Sequence, residues 1–117
     1  MKALLILNGP PYGDEKGYNA LRLAHALAKT DAAAEVVVFL MADAVSGAKS
    51  GQKTPDGYYN FERMLKRVLT AKGRVLLCGT CMDARGLSDA EIVAGAQRST
   101  MDELVQVTLA ADRVLVF

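Results

Sequence analysis

Four solid apolar runs, at residues 4–7, 36–41, 75–78 and 114–117, constrain this chain more than any other feature. Each is too short for a buried helix, and none alternates polar with apolar. A strand without alternation is covered on both faces, as in a parallel sheet between two helix layers. Between the runs the apolar period lengthens to that of a helix. Over residues 18–29, Leu21, Ala24, Leu27 and Ala28 share one face, while Arg22, His25 and Lys29 line the other. From Tyr58 the period returns: Phe61, Leu65, Val68 and Leu69 face inward, Glu62, Arg63, Lys66 and Thr70 face water, and Lys72 and Gly73 close the helix. A short helix is expected over 88–94, with Ser88 and Glu91 as a capping box. Ser99 or Thr100 caps the last helix, which turns Met101, Leu104, Val105 and Thr108 inward. Strand and helix thus alternate to the last strand. The pattern predicts a three-layer α/β/α fold around a mainly parallel sheet of four to five strands.

At 117 residues the chain is the size of one domain, expected over 1–117, and 51% apolar content suffices for a core without disulfides or a structural metal. Its net charge is +1, from 14 basic and 13 acidic residues without a basic block, which argues against nucleic acid as a partner. No apolar run approaches the ~20 residues of a membrane span. The apolar start is stopped by Asn8, Gly9, Pro10 and Pro11 too soon for a signal-peptide core, so a cytoplasmic protein is expected.

In open α/β sheets, ligands bind beyond the carboxyl ends of the strands. Three segments should meet there: 8–17, 42–57 and 78–87. Asp43, Ala44 and Val45 read as one helical turn. Residues 46–57, with three glycines, a proline, two lysines and no large apolar side chain, read as a surface loop long enough to be functional. The third segment holds both cysteines, Cys78 and Cys81, in the tetrapeptide Cys-Gly-Thr-Cys at a strand end. A thiol reacts as thiolate, which nearby cations and amides favour. Gly79 and Thr80 bring amides to Cys78, and Arg85 lies one or two turns away. The competing reading is a buried cysteine acting as a small hydrophobe. Cys81 can resolve a disulfide with Cys78, share a metal or pack. Two cysteines and one histidine fall short of a tetrahedral zinc site within one chain, His25 reads as an exposed helix residue, and no metal is predicted. Asp83 and Arg85 can pair with each other, or Arg85 can hold an anionic or sulfur-bearing substrate. Tyr12 and Asp14 are placed to reach the same crevice, or to form an ordinary turn. Lys49 and Lys53 read as solvated charges. The glycines of 9–17 match neither a dinucleotide fingerprint nor a Walker loop, and no cofactor is predicted.

Three segments taken together, Asn8 to Gly13 (NGPPYG), Phe39 to Val45 (FLMADAV) and Cys78 to Leu87 (CGTCMDARGL), resemble the DsrE/DsrF-like sulfur-relay family, and within it the YchN-like branch. The resemblance spans nearly the whole chain. It implies a DsrE-like, flavodoxin-like parallel sheet, a homotrimer or a hexamer of two stacked trimers, and a cytoplasmic role in sulfur transfer between donor and acceptor proteins. It also implies that Cys78 carries sulfane sulfur as a persulfide. Cys81 stands where the sulfurtransferases of the family have an apolar residue. A thiol there would attack a persulfide on Cys78, form a disulfide and release sulfide. Four readings follow: a sulfur carrier on Cys78, a dithiol redox or sensor module using both cysteines, a non-catalytic oligomeric protein binding a small ligand, and metal binding at an interface between subunits.

Overall fold

The computed structural model describes residues 1–117 and contains five strands: β1 (Lys2–Leu7), β2 (Glu35–Leu40), β3 (Arg74–Cys78), β4 (Gln97–Ser99) and β5 (Arg113–Val116). They form one sheet in the order β4-β3-β2-β1-β5, every neighbouring pair parallel. Four helices connect them: α1 (Lys16–Thr30), α2 (Phe61–Thr70), α3 (Gly79–Ala84) and α4 (Met101–Ala110). From β1 to β4 the chain steps across the sheet in one direction, and right-handed crossovers then place α1 and α2 side by side on one face. The step from β4 back to β5 reverses direction, so α4 crosses the opposite face.

The two faces are unequally filled. On the α1/α2 face twenty buried residues form one cluster around Leu5, Leu7, Leu21, Val38, Phe61 and Leu65. On the α4 face the cluster is Leu4, Val37, Phe39, Leu76 and Leu104 alone. Leu104 is the only buried residue of α4. Met101 and Val105, expected to face inward, are 58% and 45% exposed. β5 was expected to be a covered strand, but it is an edge with all four residues exposed.

Other expectations change where backbone groups find partners. The fifth strand, β4, is a polar triplet paired with β3 from Leu76↔Gln97 to Cys78↔Ser99. The helix expected over 88–94 contracts to a 3-10 turn, Asp89–Glu91, with the capping box of Ser88 and Glu91 intact. Its next residues are recruited elsewhere: Ser50 N–H donates to the Glu91 carbonyl and Val93 N–H to the Ala48 carbonyl, both at 2.8 Å. The single turn expected at 43–45 extends to a 3-10 segment, Ala42–Ala48, that buries Ala44, Val45, Gly47 and Ala48. The supposed surface loop therefore begins inside the core. It is held further along by Glu62, expected to face water but 8% exposed. Its carboxylate accepts from the N–H groups of Gly51 at 3.0 Å and Gln52 at 2.9 Å. No helix is long and apolar enough to cross a membrane.

Candidate functional site

β3 delivers Cys78 to the carboxyl end of the sheet, and α3 starts at the next residue. Cys78 is the N-cap of α3, and its Sγ accepts a hydrogen bond from the Cys81 N–H at 3.4 Å. Both thiols are free and half-buried. They line one cavity of about 530 Å³ together with Gly79, Thr80 and Asp83 of the same helix, Phe39 and Met41 at the end of β2, and Arg98, Ser99 and Met101. Cys81 Sγ in turn accepts from the Ala42 N–H at 3.2 Å. Ala42 holds a φ of 49°, in the left-handed region that costs an alanine on the order of 1 kcal/mol.

Burial pushes the Cys78 thiol above its ordinary range, and the adjoining Cys81 thiol pushes it further; the amides of Cys81 and Thr80 pull the other way without prevailing. These surroundings favour the protonated form of Cys78, which becomes nucleophilic when a reactant or base removes its proton.

The charges expected around the thiols are arranged differently. Asp83 and Arg85 do not pair. Arg85 turns away from the cavity to Asp43, with Nε at 3.0 Å and Nη2 at 2.7 Å from Oδ1, and it donates to the Cys81 carbonyl at 3.1 Å. Asp83 meets Arg98 at 2.9 Å. Arg98 also binds Asp89 at 2.7 Å and the Gly79 carbonyl at 3.1 Å. The cation beside the cysteines is thus Arg98, from the edge strand, and two carboxylates already neutralise it. A Cβ added at Gly79 would lie 2.9 Å from Arg98 Nη1 and 3.1 Å from the Ser99 carbonyl, so glycine permits this close approach. Arg98 gives no hydrophobic signal in the sequence, because β4 has no apolar run. The available signal was a three-residue gap between Gly95-Ala96 and the cap of α4, where alternation demands a strand.

Tyr12 and Asp14 lie apart from the cysteines. They line a second cavity of about 330 Å³ with Pro11, Glu15, Tyr18 and Tyr59. The Tyr12 hydroxyl donates to Gln52 Oε1 and accepts from the Phe61 N–H, which ties the β1 turn to the long loop and to α2. Asp14 accepts from the Lys16 N–H at the start of α1. His25 sits between α1 and α2 beside Lys66 and Arg67. No three His, Cys, Asp or Glu side chains come together as a metal-binding group.

The family model of the DsrE/DsrF-like family matches residues 1–117. Protein YchN of Escherichia coli K12 is 44% identical over 117 residues, covering 99% of this chain and 98% of its own. The crystal structure of the E. coli YchN protein superposes with a TM-score of 0.94 at 42% identity, covering 100% of this chain and 99% of that one. A protein of unknown function from Methanobacterium thermoautotrophicum, MTH1491, shares the fold with a TM-score of 0.78 at 10% identity, over 99% of this chain and 98% of its own.

Proposed function

Because the chain belongs to the DsrE/DsrF-like family, we propose that it is an intracellular sulfur carrier in which Cys78 holds sulfane sulfur as a persulfide and passes it to an acceptor protein. The observation that carries this reading is the Cys78 thiol at the carboxyl end of a central-sheet strand, half-buried and opening on a cavity of about 530 Å³. Sulfane sulfur on Cys78 adds one atom to a side chain that already has room ahead of it. The Cys81 N–H offers a donor to the sulfur, and the apolar side chains of Phe39 and Met41 line the space it would enter.

In loading, the Cys78 thiolate attacks the terminal sulfur of a donor persulfide. That sulfur–sulfur bond breaks, and the donor leaves as its thiolate. In unloading, an acceptor thiolate attacks the outer sulfur and Cys78 leaves. The raised position of the Cys78 thiol makes it a strong nucleophile once deprotonated and a poor leaving group. At neutral pH that thiolate is scarce, so loading needs a donor or base that takes the thiol proton, and unloading needs a well-placed acceptor. We further propose that the carrier works as a homo-oligomer, a trimer or a hexamer; the exposed apolar residues of α4 and β5, on the side of the sheet where Met101 borders the cavity, support this.

The test is uptake of sulfur by the reduced Cys81→Ser variant from glutathione persulfide, read by intact and peptide mass. The expected result is one added sulfur atom on Cys78, absent from Cys78→Ser. A Cys81→Ser protein that stays folded and gains no sulfur on Cys78 overturns the proposal.

A further inference from the structure

The second thiol has no task in a simple carrier, and its placement is specific. Cys78 caps α3 and Cys81 is the third residue inside it. Three positions along an α-helix separate Cα atoms by about 5 Å, inside the ~4.4–6.8 Å that a disulfide bridges. The Cys81 N–H holds the Cys78 sulfur at 3.4 Å, while the Ala42 N–H holds the Cys81 sulfur at 3.2 Å. Ala42 belongs to a segment buried against the core, so the Cys81 side chain is anchored from outside α3. Both cysteines line the same cavity, which gives a small departing anion a way out.

From this geometry we propose that Cys81 discharges the Cys78 persulfide, so that the protein is also a persulfide reductase that releases hydrosulfide when no acceptor takes the sulfur. The inference rests on Cys78 being the sulfur-loaded residue. The step balances as follows. Cys81 loses its proton and its Sγ attacks Sγ of Cys78. The bond from Cys78 Sγ to the outer sulfur breaks, and its electron pair and the proton leave with that sulfur as HS⁻. The product is a Cys78–Cys81 disulfide. The sulfane sulfur has been reduced by two electrons and the two cysteines oxidised by two. An external dithiol reductant restores both thiols by ordinary exchange. Attack at the outer sulfur, the alternative, would expel Cys78 itself, and burial makes Cys78 the poorer leaving group. The loaded state thereby has a lifetime set inside the chain. An acceptor that docks sooner receives sulfane sulfur, and one that docks later finds a disulfide.

The experiment loads reduced wild type, Cys81→Ser, Cys81→Ala and Cys78→Ser with glutathione persulfide and removes excess donor by rapid desalting. It then follows free sulfide and alkylated intact mass. Wild type should release about one sulfide per chain and end with neither cysteine open to alkylation, on the order of a hundredfold faster than either Cys81 variant loses its sulfur, as expected for a thiol held beside its target. A wild-type persulfide as long-lived as that of Cys81→Ser overturns the inference and leaves the carrier reading standing. Sulfide loss without a Cys78–Cys81 disulfide overturns it as well. Failure of both folded Cys81 variants to take up sulfur removes the carrier reading first, and the inference with it. Circular dichroism of each variant separates these outcomes from misfolding.

Discussion

Glu62 shows how one carboxylate can fix a long loop. Burial by itself raises the Glu62 acid, but the amides of Gln52 and Gly51 and the Lys66 ammonium at 3.1 Å outweigh it, and the net direction is downward. A carboxyl lowered in the folded state stabilises the fold fully above the unfolded value of ~4.3 and loses that contribution as pH falls through the lower folded value. Glu62→Ala leaves the part-buried N–H groups of Gly51 and Gln52 without their carboxylate acceptor and should cost about 1 kcal/mol in urea unfolding at pH 7. Glu62→Gln keeps an acceptor for them and should cost less. The discriminating result is the acid limb: below pH 5 the stability of Glu62→Gln should fall less steeply than that of the wild type. Equal slopes would show that the charge is irrelevant. None of this is visible in the sequence, where Glu62 occupies a polar helix position. Its burial comes from the loop folding back over it, and a helical period registers only the helix's own faces. Cys78 and Cys81 are legible for the opposite reason, since a cysteine pair that ends an apolar run is local and needs no distant partner to be noticed. Arg98 and Asp43 needed such partners.

At the level of elements, long apolar periods survive into the structure and short polar segments do not announce themselves. β1, β2 and β3 lie where their apolar runs place them, within a residue or two. β4 is missed as a strand because an edge strand of three polar residues has no hydrophobic signature, only a topological necessity. The 42–48 segment is misread for a related reason: alanine and glycine carry little apolar signal, yet here their smallness is what lets backbone enter the core. Gly47 makes this testable. A Cβ at that position would fall 2.4 Å from Phe61 Cδ1 and 2.5 Å from Cε1, and Phe61 is completely buried. Gly47→Ala must therefore displace a core ring or the segment that also carries Ala42. Overpacking of this kind costs about 1–3 kcal/mol. A loss of that size in unfolding free energy, seen as a lowered denaturation midpoint, with slowed sulfur chemistry at Cys81 as its companion, is the expected outcome. An unchanged midpoint would show that the segment yields freely and that the Ala42 amide is not a rigid anchor.

Across the whole molecule, the least saturated region is the α4 face. Twenty residues fill the core on one side of the sheet and five on the other, so the chain alone leaves apolar surface in water. Met101, Val105 and Leu109 recur every four residues and form one stripe along α4, with Leu109 78% exposed. Beyond it, the register of β5 on β1 pairs Val114 with Leu4 and Val116 with Ile6, which puts both valines on that same side of the sheet. Contiguous exposed apolar surface of this kind marks an interaction site more often than a solvated face. The stripe does not contradict its sequence reading so much as complete it: the apolar period of 101–108 calls for a covering, and one chain supplies that covering only at Leu104. If further copies supply the rest, a charge on the stripe must cost assembly while leaving the fold alone. Val105→Glu and Leu109→Glu are exposed substitutions, worth within about 0.5 kcal/mol to an isolated chain. Light scattering should then show the wild type at a multiple of the single-chain mass and the double variant at one chain, with unchanged circular dichroism. A wild type that scatters as one chain at every concentration removes the oligomer from the proposal. It would also leave Met101, which borders the thiol cavity and heads the stripe, as a wall open to solvent, where a loaded persulfide would meet stray thiols and oxidants before any acceptor arrived.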